Sequence, residues 1–187
     1  MKIGVLALQG AFIEHIHVLQ SLDVETCEIR QLRDFTNDIS GVIIPGGEST
    51  TMGKLLVELS LHDTIKKAIE GGLPVFGTCA GAILLAKNIE DGTSSVPSLK
   101  TMDITIKRNA YGRQLGSFFV EEKFGTDQVI PMSFIRAPLI TEVEKGHVLA
   151  KVNNDIVAAR QDNMLVTTFH PELKTDFVHR YFLEMIV

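Results

Sequence analysis

The sequence predicts an α/β fold with a mostly parallel central sheet and helices on both faces of that sheet. In the first half of the chain, short apolar segments alternate with longer ones whose apolar residues recur every three or four positions. The former are typical of strands buried on both faces, and the latter of amphipathic helices. Glycine or proline closes several of these segments. A regular alternation of strand and helix favours parallel strands, because each helix carries the chain back to the edge where it started.

The individual elements of the first half follow from these patterns. Strands are predicted at 2–8, 24–30, 41–44 and 73–77, and those at 2–8 and 41–44 are predicted to be buried. Helices are predicted at 11–21, from 49 or 50 to about 60, at 62–70 and at 80–88. We expect the hydroxyl of Ser49 or Thr50 to cap the second helix, and Gly71-Gly72 to end the third.

The second half has a different pattern, with many β-branched residues and turn signals. Strands are predicted at 147–152, 156–160 and 164–169, with hairpin turns at Asn153-Asn154 and Asp162-Asn163 between them. They form a β-meander, and a helix at 175–186 follows. The polar segment 91–100 is predicted to be a mobile loop.

Length and composition indicate an ordinary soluble globular protein. The 187 residues fit one domain covering 1–187, and 45% of them are hydrophobic and 22% charged. The net charge of -5 argues against a nucleic-acid partner, which would favour a basic surface. No segment has the length of a signal-peptide core or of a membrane span. With only Cys27 and Cys79 available for a disulfide, we expect a reduced, cytoplasmic protein without a membrane partner.

A cysteine lies at the junction of a predicted strand and a predicted helix, in the string Gly77-Thr78-Cys79-Ala80-Gly81. This is the arrangement of a nucleophile elbow, with cysteine in place of serine. Small neighbours permit the tight turn, and the helix N-terminus favours a thiolate. The Ala80 N–H then points where an oxyanion would form. A lone cysteine is more often a small buried hydrophobe; we assign that role to Cys27, and that of nucleophile to Cys79.

The string His170-Pro171-Glu172 follows the last predicted strand. A thiolate nucleophile needs a histidine base, and the histidine needs a group that orients it. Because proline favours extended geometry in the residue before it, Glu172 can reach back to the His170 ring. Alone, the string is equally compatible with a histidine at the end of a strand beside a surface glutamate. Together with the elbow, it predicts a Cys79–His170–Glu172 triad.

A glycine pair in Pro45-Gly46-Gly47-Glu48-Ser49-Thr50 separates a buried strand from a helix. Such a turn exposes backbone N–H groups to an oxyanion or a phosphate. A P-loop is excluded, since Gly53-Lys54 has Glu48 where that motif requires glycine, and Leu55 where it requires serine or threonine. We therefore predict that the Gly47 N–H contributes to an oxyanion hole, against the alternative of a plain tight turn.

The remaining histidines indicate no metal site. His15 and His17 are two residues apart on a predicted helix and so point to different faces. No cysteine or carboxylate cluster with ligand spacing accompanies them. His62, His147 and His179 are interpreted as single surface or edge residues. No metal or cofactor is expected.

Several strings together resemble one family. LALQGAFIEH, PGGEST, GTCAG, FIRAP and TTFHPEL are similar to the glutaminase subunits of pyridoxal 5'-phosphate synthase, which are class I (triad) glutamine amidotransferases. The resemblance extends from Ile3 to the final helix. The elbow and His-Pro-Glu are shared by all class I members, whereas PGGEST, FIRAP and the Gln9-Gly10 step narrow the resemblance to this subunit.

The resemblance implies a flavodoxin-like, three-layer α/β domain that hydrolyses L-glutamine to glutamate and ammonia. It implies the same triad, with glutamine contacts from Gly46, Gly47, Glu48, Arg108, Ile135 and Arg136. It implies a synthase subunit as partner, with pyridoxal phosphate as product of the complex and not as a cofactor. In the family the glutaminase is poorly active until it docks, and docking turns the peptide at the glycine pair into the oxyanion hole.

Other functions compatible with parts of the pattern are a cysteine hydrolase of the same fold acting on another substrate, and a glutaminase serving another synthase. A non-enzymatic flavodoxin-like binding module is a third alternative. Such a module needs a serine- and threonine-rich phosphate loop after the first strand, and the chain has Gln9-Gly10-Ala11-Phe12 there. Release of ammonia from glutamine separates a glutaminase from the cysteine hydrolase, whereas only the family-level strings argue against a glutaminase that serves another synthase.

Overall fold

A computed structural model describes residues 1–90, 96–108, 110 and 116–186. The strands in this part of the chain are β1 Lys2–Leu6, β2 Glu25–Ile29, β3 Gly41–Ile44, β4 Val75–Thr78, β5 Ala86–Ile89, β6 Met102–Lys107, β7 Ser117–Phe124, β8 Gln128–Ile135, β9 Leu139–Val143, β10 His147–Val152, β11 Asp155–Gln161 and β12 Met164–Thr167. The helices are α1 Phe12–Ser21, α2 Ser49–Glu58, α3 His62–Glu70, α4 Ala80–Leu85 and α5 Phe177–Glu184, with 3-10 turns at Leu32–Asp34 and Pro171–Leu173.

The central sheet has the order β2-β1-β3-β4-β12-β11-β9-β6-β5. Neighbouring strands from β2 to β12 are parallel. The next three pairings, β12–β11, β11–β9 and β9–β6, are antiparallel, and β5 pairs parallel with β6. β10 adds to β11, and β7 and β8 form a separate antiparallel hairpin. The predicted α/β fold with a mostly parallel sheet and a C-terminal meander is confirmed.

The inner parallel strands β1, β3, β4 and β12 are buried on both faces, which explains why they are mainly apolar, whereas the edge strand β2 is not. In β3, Val42 and Ile44 join the core beneath α2, α3 and α4, whereas Ile43 joins the core beneath α1 and α5. Val75 and Phe76 of β4 divide in the same way. Successive side chains of a strand point to opposite faces, so each strand contributes to two cores between three layers.

The parallel pairing brings four chain segments to one edge of the sheet. Ile44 pairs with Gly77, and Thr78 pairs with Thr167. The residues that follow β1, β3, β4 and β12 therefore emerge side by side. In open α/β sheets, ligands bind in the crevice outside these carboxyl ends.

The hairpin turns of the meander lie where the sequence predicts them. Asn153 and Asn154 separate β10 from β11 and have φ values of 49° and 74°. Asp162, with φ of 50°, begins the turn between β11 and β12. Asparagine and aspartate adopt this left-handed region more readily than other residues with side chains.

Two local predictions are wrong. The helix predicted at 80–88 ends at Leu85, and Ala86–Ile89 is strand β5, because its backbone pairs with β6 and Lys87 contacts Asp103 at 2.6 Å. The cap of α2 is neither Ser49 nor Thr50. Glu48 is the N-cap, and its carboxylate accepts hydrogen bonds from the N–H groups of Thr50 (3.0 Å) and Thr51 (2.7 Å).

The loop predicted at 91–100 lies partly outside the described residues, which resume at 96. Residues 96–100 form neither helix nor strand. None of the described helices is long and apolar enough to cross a membrane.

Candidate active site

Cys79 occupies a strained turn between β4 and α4. Its φ and ψ are 49° and -102°, and its N–H donates to the Thr167 carbonyl at 2.8 Å. A Cβ added to Gly77 would lie 2.7 Å from the carbonyl carbon of Gly81, and one added to Gly81 would clash with the Ile44 carbonyl oxygen. The turn therefore requires the glycines on both sides of the cysteine, as a nucleophile elbow does. Backbone strain of this kind is concentrated at functional sites.

His170 and Glu172 form a buried pair after β12. The His170 Nδ1 lies 2.6 Å from Glu172 Oε1, and each residue is only 7% exposed. The His170 N–H donates to the Ser133 carbonyl of β8 at 2.8 Å, which anchors the backbone of the turn. Glu172 belongs to the 3-10 turn that starts at Pro171, so a tight turn rather than an extended segment brings the carboxylate back to the ring.

The surroundings of His170 favour its protonated form. Burial acts to lower the pKa of the imidazole, but hydrogen bonds to Cys79 and Glu172 and the charges of these two groups outweigh burial and raise the pKa to about 10. A charged imidazole is a suitable partner for a thiolate nucleophile, and its other nitrogen is held by the carboxylate. Cys79, His170 and Glu172 thus have the connectivity of a Cys-His-Glu triad.

Hydrogen bonds with the segment after β1 fix the turn at Gly46-Gly47 after β3, which we call the glycine loop. The Gly46 carbonyl accepts a hydrogen bond from the Ala11 N–H at 2.9 Å, and the Glu48 N–H donates to Gln9 Oε1 at 2.7 Å. Gly10 has φ of 88°, and a Cβ there would clash with the Gly46 carbonyl oxygen. Because the Gly46–Gly47 peptide is trans, its N–H points away from Ala11.

A pocket of about 360 Å³ opens at this edge of the sheet. It is lined by Gln9, Gly10, Ala11, Gly46, Gly47, Glu48, Ser49, Cys79, Ala80, Ile83, Arg108, Ile135, Arg136, Pro138 and His170. The structure therefore brings all but one of the site residues predicted from sequence to one pocket. The exception, Glu172, lies behind His170 and reaches the pocket only through that ring.

The comparisons with known proteins identify the family. Residues 5–187 match the model of the SNO glutamine amidotransferase family. The chain belongs to the SNO glutamine amidotransferase family.

Relatives match this SNO amidotransferase over its whole length. The pyridoxal 5'-phosphate synthase subunit PdxT of Methanocorpusculum labreanum is 61% identical and covers 100% of the chain and 98% of its own length. That of Streptococcus pneumoniae is 57% identical, with coverages of 99% and 97%. A crystal structure of a glutamine amidotransferase superposes with a TM-score of 0.93 at 42% identity over 98% of both chains. The PurLQS structure from Thermotoga maritima, at 15% identity, TM-score 0.72 and coverages of 100% and 99%, shares the fold.

The residues that the family resemblance assigns to glutamine binding differ in their surroundings. Arg108 donates to Thr50 Oγ1 at 3.2 Å at the pocket wall. Arg136 has φ of 43° and donates its N–H to the Gly116 carbonyl at 2.6 Å, and Ile135 beside it is 42% exposed. Of the segment KRNAYGRQ, residues 109 and 111–114 lie outside the described part of the chain.

In this SNO amidotransferase, the Glu48 carboxylate already accepts hydrogen bonds from Thr50 and Thr51. Hydrogen bonds from Thr51 and Thr50 outweigh desolvation and lower the pKa of its carboxyl to about 2. As the cap of α2 it has few acceptor positions left for a glutamine ligand. In this structure the Glu48 carboxylate caps α2, and the Glu48 N–H connects the end of the glycine pair to Gln9.

Residue-level reasoning from sequence missed Gln9 and His179. Gln9 contacts the glycine loop from another strand, and only the family-specific Gln9-Gly10 step indicated its importance. The prediction that His179 is a surface or edge residue is wrong, since it is fully buried. His15 is also fully buried and His17 is exposed, as their spacing predicted. Within the described residues, no cluster of three or more His, Cys, Asp or Glu side chains could hold a metal ion.

Proposed function

We propose that this chain, as the glutaminase subunit of a pyridoxal 5'-phosphate synthase, hydrolyses L-glutamine with Cys79, His170 and Glu172 and delivers the ammonia to a synthase subunit. The observation that carries the proposal is the meeting of Cys79, His170 and the glycine loop at one pocket, with Glu172 bonded to His170 at 2.6 Å. Family membership supports the substrate class, and the full-length relatives named PdxT support the partner.

In the first half-reaction, the Cys79 sulfur attacks the side-chain amide carbon of glutamine. The carbonyl oxygen becomes an oxyanion, which the N–H groups of Ala80 and Gly47 stabilise. One such donor typically contributes about 2.7–4 kcal/mol to transition-state binding. His170 then protonates the departing nitrogen, ammonia leaves, and a glutamyl thioester remains on Cys79.

In the second half-reaction, His170 accepts a proton from water, which attacks the thioester carbon. A second oxyanion forms at the same donors, and collapse releases glutamate and the Cys79 sulfur. Glu172 keeps the Nδ1 side of the ring occupied, so that Nε2 remains available to the reacting groups throughout. No bound metal or cofactor is required for either half-reaction.

The pocket has groups suited to hold the rest of the glutamine molecule. Arg108 and Arg136 line it and can bind the α-carboxylate, since a guanidinium matches that group with two parallel hydrogen bonds. Ile135 supplies an apolar surface for the methylenes. The Gly46 and Gly47 backbone and Glu48 complete the contacts that the resemblance implies.

A partner subunit follows from the chemistry of the product. Ammonia released into water is protonated and lost as a nucleophile, so a shielded path between two active sites preserves it. We further propose that the complex is cytoplasmic, since Cys27 and Cys79 are both free thiols. Recovery of the tagged chain in the membrane or secreted fraction of its own cells would contradict that location.

The decisive experiment measures glutamate release from glutamine by the chain with its cognate synthase subunit, for wild type, Cys79→Ala and Cys27→Ala. We expect Cys79→Ala to abolish turnover while glutamine binding, measured by calorimetry, is largely kept. Cys27→Ala serves as the matched control, because this half-buried cysteine packs against the core and lies outside the pocket.

Turnover of Cys79→Ala comparable to that of wild type would refute the nucleophile. Absence of glutaminase activity in the wild-type complex would refute the substrate, and the cysteine hydrolase alternative would then be tested with other amides. Equal activity with and without the synthase subunit would contradict a dependence on docking.

A further inference from the structure

Two histidines that the proposed mechanism does not use lie directly behind the triad. His15 of α1 and His179 of α5 are fully buried, and His15 Nδ1 lies 2.8 Å from His179 Nε2. The other nitrogen, His15 Nε2, lies 3.1 Å from Thr78 Oγ1 and 3.6 Å from Glu172 Oε2. Thr78 immediately precedes Cys79. The pair thus touches both the carboxylate and the strand that carries the nucleophile.

The second oxygen of Glu172 lacks a close donor. Oε1 binds His170, whereas Oε2 is buried and has no hydrogen-bond partner among the described residues. Leaving a buried carboxylate oxygen without a donor is costly. His15 Nε2 lies 3.6 Å from this oxygen, which is long for a hydrogen bond but close enough for an N–H dipole to act on the carboxylate. Such bonds in unliganded sites often tighten when substrate binds.

The two rings have one tautomer assignment that satisfies their neighbours. His179 Nδ1 is buried and has no hydrogen-bond partner in the described part of the chain, a situation that is less costly for a bare nitrogen than for an N–H. The His179 proton therefore sits on Nε2 and is donated to His15 Nδ1. His15 then carries its proton on Nε2, facing Thr78 and Glu172. The reverse assignment would leave a buried N–H unpaired and aim a bare nitrogen at a carboxylate.

The environment keeps both rings neutral and fixed. Burial lowers the pKa of His15 well below its ordinary value and that of His179 to about 4. The Phe76 ring packs edge-on against both, with centroid distances of 6.0 Å and 5.7 Å. A neutral donor orients the carboxylate without adding a second cation that would compete with His170 for its charge.

We propose that His15, held by His179, is a positioning residue that donates its Nε2–H toward Glu172 and so fixes the orientation of the carboxylate that holds His170. The inference rests on the proposed triad. It extends the series of polar contacts from Cys79 through His170 and Glu172 to His15 of α1 and His179 of α5.

The tautomers can be read in the wild-type chain without any substitution. In protein labelled with ¹⁵N-histidine, we expect the ¹⁵N resonances of His15 and His179 at neutral pH to report protonated Nε2 and bare Nδ1 atoms. A His15 proton on Nδ1 would overturn the proposal, because the ring could then not donate to Glu172. This measurement does not depend on how any variant folds.

A matched pair of substitutions at His15 separates the effect of its Nε2–H donor from the effect of its packing. The side-chain amide of His15→Gln can occupy the Nε2 position, whereas that of His15→Asn can occupy only the Nδ1 position and offers no N–H toward Glu172 Oε2, although His170 still binds Oε1. In complex with the synthase subunit, we expect kcat of His15→Asn to fall about tenfold with KM nearly unchanged. This loss is smaller than the roughly 10⁴-fold cost of changing the orienting carboxylate itself in a serine protease. His15→Gln should stay within about threefold of wild type.

One control variant and one spectroscopic signal complete the test. His17→Asn lies on the exposed face of the same helix and should have no effect. The low-field proton of the His170–Glu172 hydrogen bond should shift or broaden in His15→Asn and be kept in His15→Gln. Equal loss in Asn and Gln variants, or an unchanged proton signal in both, overturns the positioning role. An inactive wild-type complex would instead refute the glutaminase proposal, and the histidine signals would still decide the role of His15.

Discussion

Gly46 lies where the candidate site has no room for a side chain. A Cβ added to it would overlap His170 Cε1, and would lie 3.2 Å from His170 Nδ1 and 3.3 Å from Cys79 Cβ. Its carbonyl is already fixed by the Ala11 N–H. The absence of a side chain at this position therefore allows the base and the nucleophile to approach each other.

We predict that Gly46→Ala lowers kcat of the glutaminase reaction about a hundredfold. The methyl group must push the imidazole away from Cys79, and a displacement of about 1 Å in an active site can cost that much. The measurement is steady-state glutamate release in complex with the synthase subunit, together with thermal unfolding of each variant.

Gly116→Ala is the control for this substitution. Among the described residues, a Cβ at Gly116 would meet no atom within 4 Å, and its carbonyl accepts the Arg136 N–H through the backbone, a contact that alanine keeps. We expect wild-type activity from it. A Gly46→Ala enzyme as active as Gly116→Ala would show that the ring has another position from which it can work.

The triad residues could be predicted from sequence because the information is local. Cys79 is marked by glycines two residues away on each side, and Glu172 is two residues from His170. Gln9 is different, since its side chain reaches Glu48 across 39 positions of sequence. No spacing rule connects two loops that meet only because β1 and β3 are neighbours in the sheet.

The start of helix α2 shows how one element supports the site. The Glu48 side chain caps the helix, while its own N–H is bound by Gln9. The glycine pair immediately before it is thereby fixed at both ends. The residues with the highest intrinsic preference for a cap, serine and threonine, lie one and two positions too late, because Glu48 already has the extended backbone, φ -95° and ψ 108°, that a cap requires.

We predict that Glu48→Gln destabilises the chain in a pH-dependent way. The pKa of the Glu48 carboxyl is lowered to about 2 in the folded state from 4.5, so the charged cap contributes stability above pH 4.5 and loses it as pH falls toward 2. The difference in free energy of unfolding between wild type and variant should be about 1 kcal/mol at pH 7. Urea unfolding at several pH values should show that this difference becomes smaller below pH 4.5.

Glu58→Gln at the other end of the same helix provides the control. Glu58 is exposed and is not part of the cap. The difference in free energy of unfolding between wild type and Glu58→Gln should therefore stay near zero and should not change with pH as that of Glu48→Gln does. A Glu48→Gln difference that is constant from pH 7 to pH 3 would mean that the charge of the cap adds nothing to its hydrogen bonds.

The boundaries of helices and strands could be predicted where the sequence pattern was strong. The prediction failed where pairing with a distant strand determined the structure. The strands of the parallel sheet and the two asparagine- and aspartate-containing turns match the prediction because apolar runs and turn residues are local signals. The segment Ala86–Ile89 reads as a continuation of an apolar helix, yet it pairs with β6. Helix propensity is a weak preference, and an available strand edge overrides it.

In the folded chain, two imidazoles are buried between the first and the last helix, α1 and α5. His15 and His179 lie 164 positions apart in the chain and meet only when α1 and α5 pack on the same face of the sheet. A histidine with apolar neighbours in a short helix gives no sequence signal that distinguishes burial from a surface position. This is why the sequence could predict that His15 and His17 point to different faces, but neither which of the two is buried nor the partner of His15.

The same pair should make the fold sensitive to acid. Burial lowers the pKa of both rings, to about 4 for His179 and well below the ordinary 6.5 for His15, while the charge of Asp176 opposes the shift at His179. Below pH 6.5 the unfolded chain binds protons that the folded chain does not, so stability falls as pH falls from 6.5 toward 4. Each such histidine contributes a slope of up to about 1.4 kcal/mol per pH unit.

The prediction is tested by urea unfolding of wild type, His179→Leu and the exposed-site control His17→Gln between pH 7.5 and 4. The removal of His179 lowers stability at pH 7 through its lost contacts, but it also removes one titrating group. We therefore expect the free energy of unfolding of His179→Leu to change with pH less steeply than that of wild type, by roughly one proton. The pH dependence of His17→Gln should be parallel to that of wild type. Because the slope counts protons and not contacts, an unchanged slope in His179→Leu would mean that the ring is already charged within the fold.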